Sequence, residues 1–349
     1  MFSPRYLITH QLLANIKRIT ELVTELNHRT FPSTVLLDFS KDARAVSVHS
    51  STSIEGNPLP LTEVRKLLKS RPEHLRDSEK EVLNYNQALE ELETLLTQSG
   101  TSGPLLNLKR YLEIHNIVMK GLLPPIKRGK LRKEPVFVND PRLGKTIYWP
   151  PDHKDVPGLM QELMSFVEKE QGKLDPLILA GLFHKQSLII HPFIDGNGRT
   201  TRLATTLLLA NMGLNTFPLF SFERYYNQNV TRYFEKVGVL GDYYDLRESI
   251  DFTPWLEYFT SGIIDELMRV KKDLEQVSLT PETTPNTHDR VILDYIREHG
   301  FITDKYYARL TERAKATRTL DFKRLVGMGV IERKGKGKNT YYVLAKPPE

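Results

Sequence analysis

The 349-residue sequence contains no cysteine, so disulfide bonds and cysteine-based zinc sites are excluded. It has no uncharged apolar run of membrane length. Residues 1–29 carry scattered charges, including Arg5 and Lys17, and fit neither a signal peptide nor a membrane span. Internal repeats and long low-complexity segments are also missing. These absences, with an ordinary hydrophobic fraction of 40%, predict a globular protein of the cytoplasm.

Length and charge divide the chain into parts, since 349 residues exceed one typical domain. From Asn286 onward there are 14 Lys and Arg against 8 Asp and Glu, a net charge of +6, which equals the formal net charge of the whole chain. Thr-Pro pairs at residues 278–287 predict a linker ahead of this basic part. We therefore predict an N-terminal helical region over residues 1–104, a second helical region over 105–277, and a small domain over 288–349.

One polar stretch, His191 to Arg202, lies between two apolar segments. The segments Leu177–Ile190 and Leu203–Met212 carry Leu, Ile or Ala on every side, which predicts two buried helices. The polar residues between them are then a loop held by the core. Such a loop is a rigid support for functional side chains.

The residue types in this loop favour a polyphosphate ligand. Gly196, Asn197 and Gly198 adopt left-handed backbone angles at low cost, and successive N–H groups can then point into one anion-binding concavity. The helix that follows adds the positive end of its dipole. Arg199 and Arg202 are three residues apart, so they share one helix face, and two guanidinium groups suit more than one phosphate.

Two further residues complete a predicted nucleotide site. Asp195 offers the hard oxygen ligand that Mg²⁺ prefers, and His191 is a candidate general base. A glycine-rich turn alone is more often structural, and an arginine pair more often belongs to a solvated face. The twelve-residue combination is far more specific than either feature.

Residues His191 to Arg202 match the signature His-Pro-Phe-x-Asp/Glu-Gly-Asn-Gly-Arg-x-x-Arg at every defined position, so the sequence resembles the Fic domain family. Most Fic enzymes transfer the AMP part of ATP to a hydroxyl side chain of a protein. The resemblance covers roughly residues 40–265. It implies an all-α fold with a small β-hairpin flap, ATP as substrate, Mg²⁺ as cofactor, target proteins as partners (with self-modification among the reactions), and a homodimer.

The resemblance also implies roles for single residues. His191 would take the proton of the target hydroxyl, Asp195 would hold Mg²⁺, and residues 196–198 would cradle the α- and β-phosphates. The two arginines would bind the β- and γ-phosphates. Tyr233 would lie beside the adenine ring, although an aromatic residue at helical spacing is more often part of a core.

An N-terminal motif gains its meaning from the same resemblance. The sequence predicts a helix over residues 42–56, and its last turn, Ser51 to Gly56, taken alone is a polar helix end. It matches the Ser/Thr-x-x-x-Glu-Gly/Asn motif that inhibits many Fic proteins. The resemblance implies that Glu55 forms an ion pair with Arg202 and so blocks productive ATP binding, which makes Ser51 and Glu55 candidate inhibitory residues.

A β-hairpin is predicted where the helical pattern breaks. Val136–Val138 and Thr146–Trp149 are β-type runs joined by a longer loop. In Fic proteins a flap hairpin lies here, and the target segment adds to it as an extra strand. Lys145, Thr146, Ile147 and Tyr148 are the candidates for that edge. Without the resemblance, an ordinary surface hairpin remains an equal interpretation.

The basic C-terminal part predicts three helices and two strands, a winged-helix pattern. Such a domain could contact DNA, or it could be a protein-interaction module with a solvated basic face. The candidate DNA contacts are basic side chains of the third helix and the wing: Lys315, Arg318, Lys323, Arg324, Lys336 and Lys338.

Two rival functions remain open from the sequence. The same site could remove AMP from a modified protein, with Glu55 orienting a water molecule. The protein could instead be a DNA-binding regulator whose Fic core senses nucleotide.

Overall fold

Helices make up most of the chain in the computed structural model, which describes residues 2–28, 33–70, 72, 74–97, 106–140, 144–214, 217–278, 287–327, 330–335, 337 and 340–345. The predicted helical architecture is confirmed at this level. The helices are α1 (His10–Asn27), α2 (Ser33–Ile54), α3 (Leu61–Lys69), α4 (Asp77–Thr97), α5 (Leu108–Val118), α6 (Val156–Glu170), α7 (Pro176–Ile190), α8 (Asn197–Leu209), α9 (Glu223–Gln228), α10 (Val230–Val237), α11 (Tyr243–Leu246), α12 (Thr253–Ser278), α13 (Thr287–His299), α14 (Asp304–Leu310) and α15 (Lys315–Gly327), with 3₁₀ turns at Ala210–Met212 and Phe217–Leu219. The strands are β1 (Val138–Asp140), β2 (Lys145–Trp149), β3 (Gly241–Asp242), β4 (Ile331–Lys334) and β5 (Tyr341–Leu344).

The chain divides into two units. The first comprises residues 1–27 and 43–268, and the second comprises residues 28–42 and 269–349. The division runs through α2 and α12. Most of the linker predicted over residues 278–287 lies outside the described residues, so that boundary stays a prediction. None of the described helices has the length and apolar character needed to cross a membrane.

Helices α7 and α8 form the centre of the first unit. Helix α7 is apolar on all sides and almost wholly buried. Its start is set by Asp175, whose carboxylate accepts from the N–H of Leu177 at 2.8 Å, and by Pro176 in the first turn. Helix α8 packs against α4, α5 and α7, and α6 covers another side of α7. The loop between α7 and α8 is therefore held by buried elements.

A small sheet lies beside this core. Strand β2 pairs with β1 in the antiparallel direction, through Asn139↔Thr146 and Asp140↔Lys145. On its other side β2 pairs in parallel with β3, through Tyr148↔Gly241 and Trp149↔Asp242. The hairpin was expected, but β3 was not, because a two-residue strand almost a hundred residues away has no periodicity of its own.

One helix boundary differs from the prediction. Helix α2 begins at Ser33, well before the predicted start at residue 42, because residues 33–41 contain neither glycine nor proline to stop it. Elsewhere, the helical stretch from Glu223 to Val237 is broken at Asn229, where α9 ends and α10 begins. That residue has φ −146° and caps α10, and its side chain accepts from the N–H of Arg232 at 3.0 Å.

The second unit has its own apolar core. Helices α13, α14 and α15 and strand β4 bury Ile292, Ile296, Tyr307, Phe322 and Ile331 together. Strands β4 and β5 form an antiparallel hairpin. The element order is the one predicted for a winged helix, and that assignment stays a prediction.

The packing of α7 against α12 gives a test of the first unit. A Cβ at Gly181 would lie 2.6 Å from Cδ2 of Leu256, and the Gly181 carbonyl accepts from the Trp255 indole at 2.8 Å. We expect Gly181→Ala to lower the free energy of unfolding by about 1–3 kcal/mol through overpacking, measured by urea denaturation. Gly158→Ala in α6 is the control, because nothing lies within 4 Å of its new Cβ. Equal effects of the two changes would contradict this packing.

Candidate active site

His191 terminates α7 in an unusual backbone conformation. Its φ of 50° makes it the only non-glycine residue with positive φ in the described part of the chain. Its Nδ1 lies 3.4 Å from the carbonyl oxygen of Leu188, which can only accept, so Nδ1 carries the proton and Nε2 is left free. Desolvation lowers the pKa of His191 to about 4, so the ring is neutral at pH 7 and able to accept a proton.

The loop after His191 is closed by Asn197. The Asn197 side chain accepts from the N–H of Phe193 and donates to its carbonyl, both at 2.9 Å. Its side-chain amide therefore closes the loop on itself at both the oxygen and the nitrogen. Gly196 has φ 78°, and a Cβ there would lie 2.6 Å from the sulfur of Met119, so both conformation and space require glycine.

His115 supports the loop from below. Its Nδ1 accepts from the N–H of Gly129 at 2.9 Å, so Nε2 carries the proton and donates to the carbonyl of Asp195 at 3.0 Å. The ring stacks on Phe193 with centroids 3.7 Å apart. The contact of His115 with the loop could not be anticipated from the sequence, because His115 lies 80 residues from Asp195.

Asp195 points one carboxylate oxygen into the loop. Its Oδ1 accepts from the N–H of Gly196 at 2.5 Å and from Nη2 of Arg199 at 3.1 Å, and its side chain is 57% exposed. The structure brings no group of three His, Asp or Glu side chains together among the residues it describes. Any metal held here would have Asp195 as a single protein ligand, an arrangement that suits Mg²⁺ bound mainly by phosphates and water.

Arg202 is fully buried and is held by the N-terminal motif. Its Nη2 donates to Glu55 Oε1 at 2.7 Å and to the Ser51 carbonyl at 2.8 Å, and its Nε donates to Ser51 Oγ at 2.7 Å. Burial is the largest single influence on Arg202 and opposes its charge, but the Glu55 carboxylate together with Tyr233 and Tyr85 more than offsets it, so the pKa of Arg202 is raised. The structure thus brings together the residues that the sequence assigned to inhibition and to phosphate binding.

Glu55 lies directly over the start of α8. A Cβ built on Gly198 would be only 2.0 Å from Glu55 Oε1. The carboxylate therefore occupies space that exists because Gly198 has no side chain, at the positive end of the helix dipole. This is where an anion is expected to bind.

The first arginine of the stretch, Arg199, has its own carboxylate partners. Arg199 Nη1 lies 3.1 Å from Oε1 of Glu81, and its Nη2 lies 3.1 Å from Asp195. Glu81 is fixed in turn by Asn57, whose Nδ2 donates to its Oε2 at 2.7 Å. Sequence reasoning missed Glu81, because nothing in its local pattern on α4 distinguishes it from the other glutamates there.

Tyr233 was predicted beside the adenine ring, and the structure places it in the core with no exposed surface. Thr205 uses its hydroxyl proton on the Thr201 carbonyl, so it accepts from Nδ1 of His184, and the Tyr233 hydroxyl donates to His184 Nε2 at 2.9 Å. The ring of Tyr233 is enclosed by other aromatic side chains and presents no face to a ligand in this structure.

The flap strand β2 is open along part of its edge. Tyr148 is 3% exposed, donates from its hydroxyl to the Ile189 carbonyl at 2.8 Å, and pairs with Gly241 of β3. It is therefore unavailable to a docking strand. Lys145, Thr146 and Ile147 precede the β3 pairing, so they are the part of β2 left for an added strand.

The candidate DNA contacts in the second unit divide into paired and unpaired cations. Arg318 binds both oxygens of Asp304, at 2.9 and 3.0 Å, and Arg324 binds Asp289 at 2.5 Å. Both arginines are thus paired with aspartates within the second unit, and their contact with DNA stays a prediction. Lys315 and Lys323 are exposed. Lys336 and Lys338 lie outside the described residues.

Part of the chain is similar to known proteins. Residues 105–209 match the family model described as Fic/DOC family, so the chain carries a Fic/DOC domain over these residues. The protein adenylyltransferase Fic of Drosophila mojavensis is 30% identical over 222 residues, which cover 58% of this chain and 42% of that relative. The Drosophila grimshawi protein of the same name is 33% identical over 177 residues, covering 50% and 34%. The chain thus spans less than half the length of these curated relatives.

Solved structures share the fold. A crystal structure of a Fic family protein from Desulfovibrio desulfuricans aligns over 100% of both chains with a TM-score of 0.65 at 20% identity. Fic-1 from C. elegans aligns over 76% of this chain and 74% of its own, with a TM-score of 0.59 at 22% identity. At these identities the likeness shows the fold alone.

The buried His115 gives a pH prediction. Burial lowers its pKa from 6.5 to about 4, so the folded protein excludes a proton that the unfolded chain binds. This contribution is complete above pH 6.5 and is lost as the pH falls towards 4, by about 3 kcal/mol in all. We expect His115→Gln to flatten the fall in unfolding free energy between these pH values, measured by urea denaturation. His74→Gln, at an exposed position, is the control. An unchanged slope in His115→Gln would contradict the prediction.

Proposed function

We propose that this protein transfers AMP from ATP to a Ser, Thr or Tyr hydroxyl of a target protein, and that Glu55 restrains this activity. One observation carries the proposal: the Glu55 carboxylate lies on Arg202 and against Gly198, at the positively charged start of α8. A carboxylate in that position indicates a site built for anions, and the neutral His191 ends the helix that precedes it.

The proposed reaction is an in-line attack on the α-phosphorus of ATP. The target hydroxyl oxygen forms a bond to this phosphorus, the bond to the β-phosphate oxygen breaks, and diphosphate leaves. Nε2 of His191 takes the hydroxyl proton, which is general base catalysis worth typically about 10²–10⁴-fold. Backbone N–H groups of residues 196–198, with Arg199 and Arg202, would stabilise the charge on the phosphates.

Asp195 fits the role of a magnesium ligand. Its carboxylate is the most exposed acidic group of the loop, and only its Oδ1 is engaged by the described residues around it. A bound Mg²⁺ would neutralise phosphate charge during the reaction. The protein's own contribution is to hold Asp195 in place through His115 and Gly196.

The open edge of β2 would receive the target. An extended segment that adds to Lys145, Thr146 and Ile147 would gain backbone hydrogen bonds whatever its sequence, and its side chains would alternate in direction. Every second side chain would then face the same way, so register along the flap would decide which hydroxyl approaches His191.

Glu55 would act as a brake through charge and space. Its carboxylate takes a donor of Arg202 that a phosphate would need, and it adds negative charge where the phosphates must lie. Since α2 belongs to the same chain, the proposed inhibition is intramolecular. ATP would bind weakly, or in an unproductive pose, until Glu55 moves.

Removal of AMP is the second candidate function. Glu55 is 27% exposed, and only its Oε1 is engaged by the described residues. Its second oxygen could orient a water molecule against a phosphorus held by the same loop. In this case Glu55 would be required for activity, whereas for AMP transfer it would be inhibitory.

Transfer of label from ATP labelled at the α-phosphate tests both functions. With Mg²⁺ and a cell lysate, we expect little labelling by the wild type and strong labelling by Glu55→Gly. Glu55→Gln keeps the size but loses the charge, so its labelling should lie between these two. Glu55→Gly combined with His191→Ala should give none, because the base is missing.

The control for this series is Glu63→Gln on α3, at an exposed glutamate outside the site. It should behave as the wild type. Unchanged labelling in Glu55→Gly would contradict the brake. If no variant transfers label while ATP still binds, release of AMP from labelled protein, lost in Glu55→Gly, would favour the second function.

The ion pair itself predicts opposite effects on stability with and without nucleotide. Without ATP, Glu55→Gly leaves Arg202 buried and lacking its carboxylate, which should lower the free energy of unfolding by up to about 3 kcal/mol. With ATP and Mg²⁺, the variant should be stabilised more than the wild type, since phosphates now replace the carboxylate. Thermal unfolding with increasing ATP measures both effects. Equal ATP-induced shifts in the two proteins would contradict competition between Glu55 and ATP.

A further inference from the structure

Arg132 is a buried cation beside the site that the proposed reaction does not use. It lies just ahead of the flap and is 3% exposed. In the described part of the chain it forms no ion pair with a carboxylate, whereas Arg199 and Arg202 each do. A buried guanidinium that lacks such a partner must be satisfied in another way.

Arg132 donates four hydrogen bonds to backbone carbonyl oxygens, which lie in three places along the chain. The side chain donates from Nε to the His191 carbonyl at 2.8 Å, from Nη1 to Glu134 at 3.1 Å, and from Nη2 to Pro151 at 2.5 Å. The backbone N–H of Arg132 also donates to the Pro192 carbonyl at 2.9 Å. Glu134 precedes β1 and Pro151 follows β2, so one residue joins His191 to both ends of the flap.

A second bond acts in the same direction. The Tyr148 hydroxyl, on β2, donates to the Ile189 carbonyl at 2.8 Å. Ile189 and His191 are at the end of α7, where carbonyls have no acceptor role left within the helix and need outside donors. A positive group such as Arg132 is also favourable at the negative end of a helix dipole. The flap and the end of α7 are therefore bound to each other at two points.

The backbone of His191 explains why such bonds matter. A non-glycine residue rarely adopts φ 50°, and it keeps this conformation only where its surroundings enforce it. Arg132 binds the carbonyl oxygen of the His191–Pro192 peptide bond and the carbonyl oxygen of the peptide bond that follows it. A change in the backbone angles of His191 would reorient its imidazole, and both bonds oppose such a change.

We propose that Arg132 is a positioning residue that fixes His191 relative to the flap, so that a hydroxyl docked along Lys145–Ile147 meets the base at a set place. This inference rests on the proposed AMP transfer. Arg132 contacts neither the glycine loop nor the two signature arginines in the described contacts, so its role is separate from nucleotide binding.

The test uses Glu55→Gly as the active background and adds Arg132→Met or Arg132→Lys. Methionine keeps the aliphatic stem and removes all three donors, whereas lysine keeps the charge and fewer donors. We expect kcat for AMP transfer to fall about 100-fold in Arg132→Met, as a misplaced catalytic group does, and less in Arg132→Lys. KM for ATP should change less than about threefold, because the nucleotide contacts lie on α8 and its preceding loop. Guanidinium ion added in solution should restore part of kcat to Arg132→Met.

Arg128→Met, in the same loop four residues earlier, is the matched control and should keep the kcat of the background. Two measurements do not depend on AMP transfer. They are the ¹⁵N spectrum of the His191 ring and hydrogen exchange at residues 189–193 and 145–149. Arg132→Met should shift the ring signals and speed exchange in both segments, and this holds even if no variant transfers AMP.

Two results would overturn the inference. One is that Arg132→Met in the Glu55→Gly background keeps the kcat of Glu55→Gly alone and leaves the His191 ring signals unchanged. The other is a parallel loss of kcat and ATP affinity that guanidinium does not restore, which would mean that Arg132 only supports the fold. If Arg132→Met does not fold, the same comparisons are made with Arg132→Lys.

Discussion

The structure depends on the need of one buried cation for an anion. Arg202 has no exposed surface, so its guanidinium cannot be solvated by bulk water and must have a partner inside the protein. In this structure the partner is Glu55, at 2.7 Å. In the proposed reaction a phosphate would take that place. On this proposal the two states would exclude each other, because both anions would use Arg202 and the space above Gly198. Inhibition and catalysis would then be two ways of satisfying a single group.

Helix α2, which ends just before Glu55, is held by hydrogen bonds at Ser47 and Ser51. Ser51 binds Arg202 through both its hydroxyl and its carbonyl, and one turn earlier Ser47 donates to the buried carboxylate of Glu223 at 2.9 Å. Burial raises the pKa of Glu223, which also accepts from Tyr85. Leaving these buried partners without hydrogen bonds would cost free energy, so movement of the whole helix is an unfavourable way to free Arg202. Movement of the last turn, beyond Ser51, would break the Glu55 contact and keep the others.

The features of the site that could be predicted from the sequence are those that lie within one continuous stretch of the chain. The loop from His191 to Arg202, its two buried helices and the partner motif at Ser51 and Glu55 all have patterns or a family signature of their own. The supports of the loop do not. His115, Arg132 and Glu81 reach it from 59 to 118 residues away, and each sits in a segment with an ordinary composition. In the second unit, too, the partners of charged residues are not visible in the sequence. The sequence shows that Arg318 and Arg324 are basic, but only the structure shows that aspartates already occupy them.

The three guanidinium groups around the site differ in what they bind, and this difference separates their roles. Arg202 and Arg199 bind carboxylates, namely Glu55 for one, and Glu81 with Asp195 for the other. A phosphate can replace a carboxylate, because both are anions that accept from the same fork of donors. Arg132 binds only backbone carbonyls, at His191, Glu134 and Pro151. Those carbonyls are fixed by the chain and would be left without donors if a phosphate displaced them. In the proposed reaction, nucleotide binding would therefore exchange the partners of the first two arginines while the third keeps His191 where it is. The proposed base would then stay in position through the change from the inhibited to the loaded site.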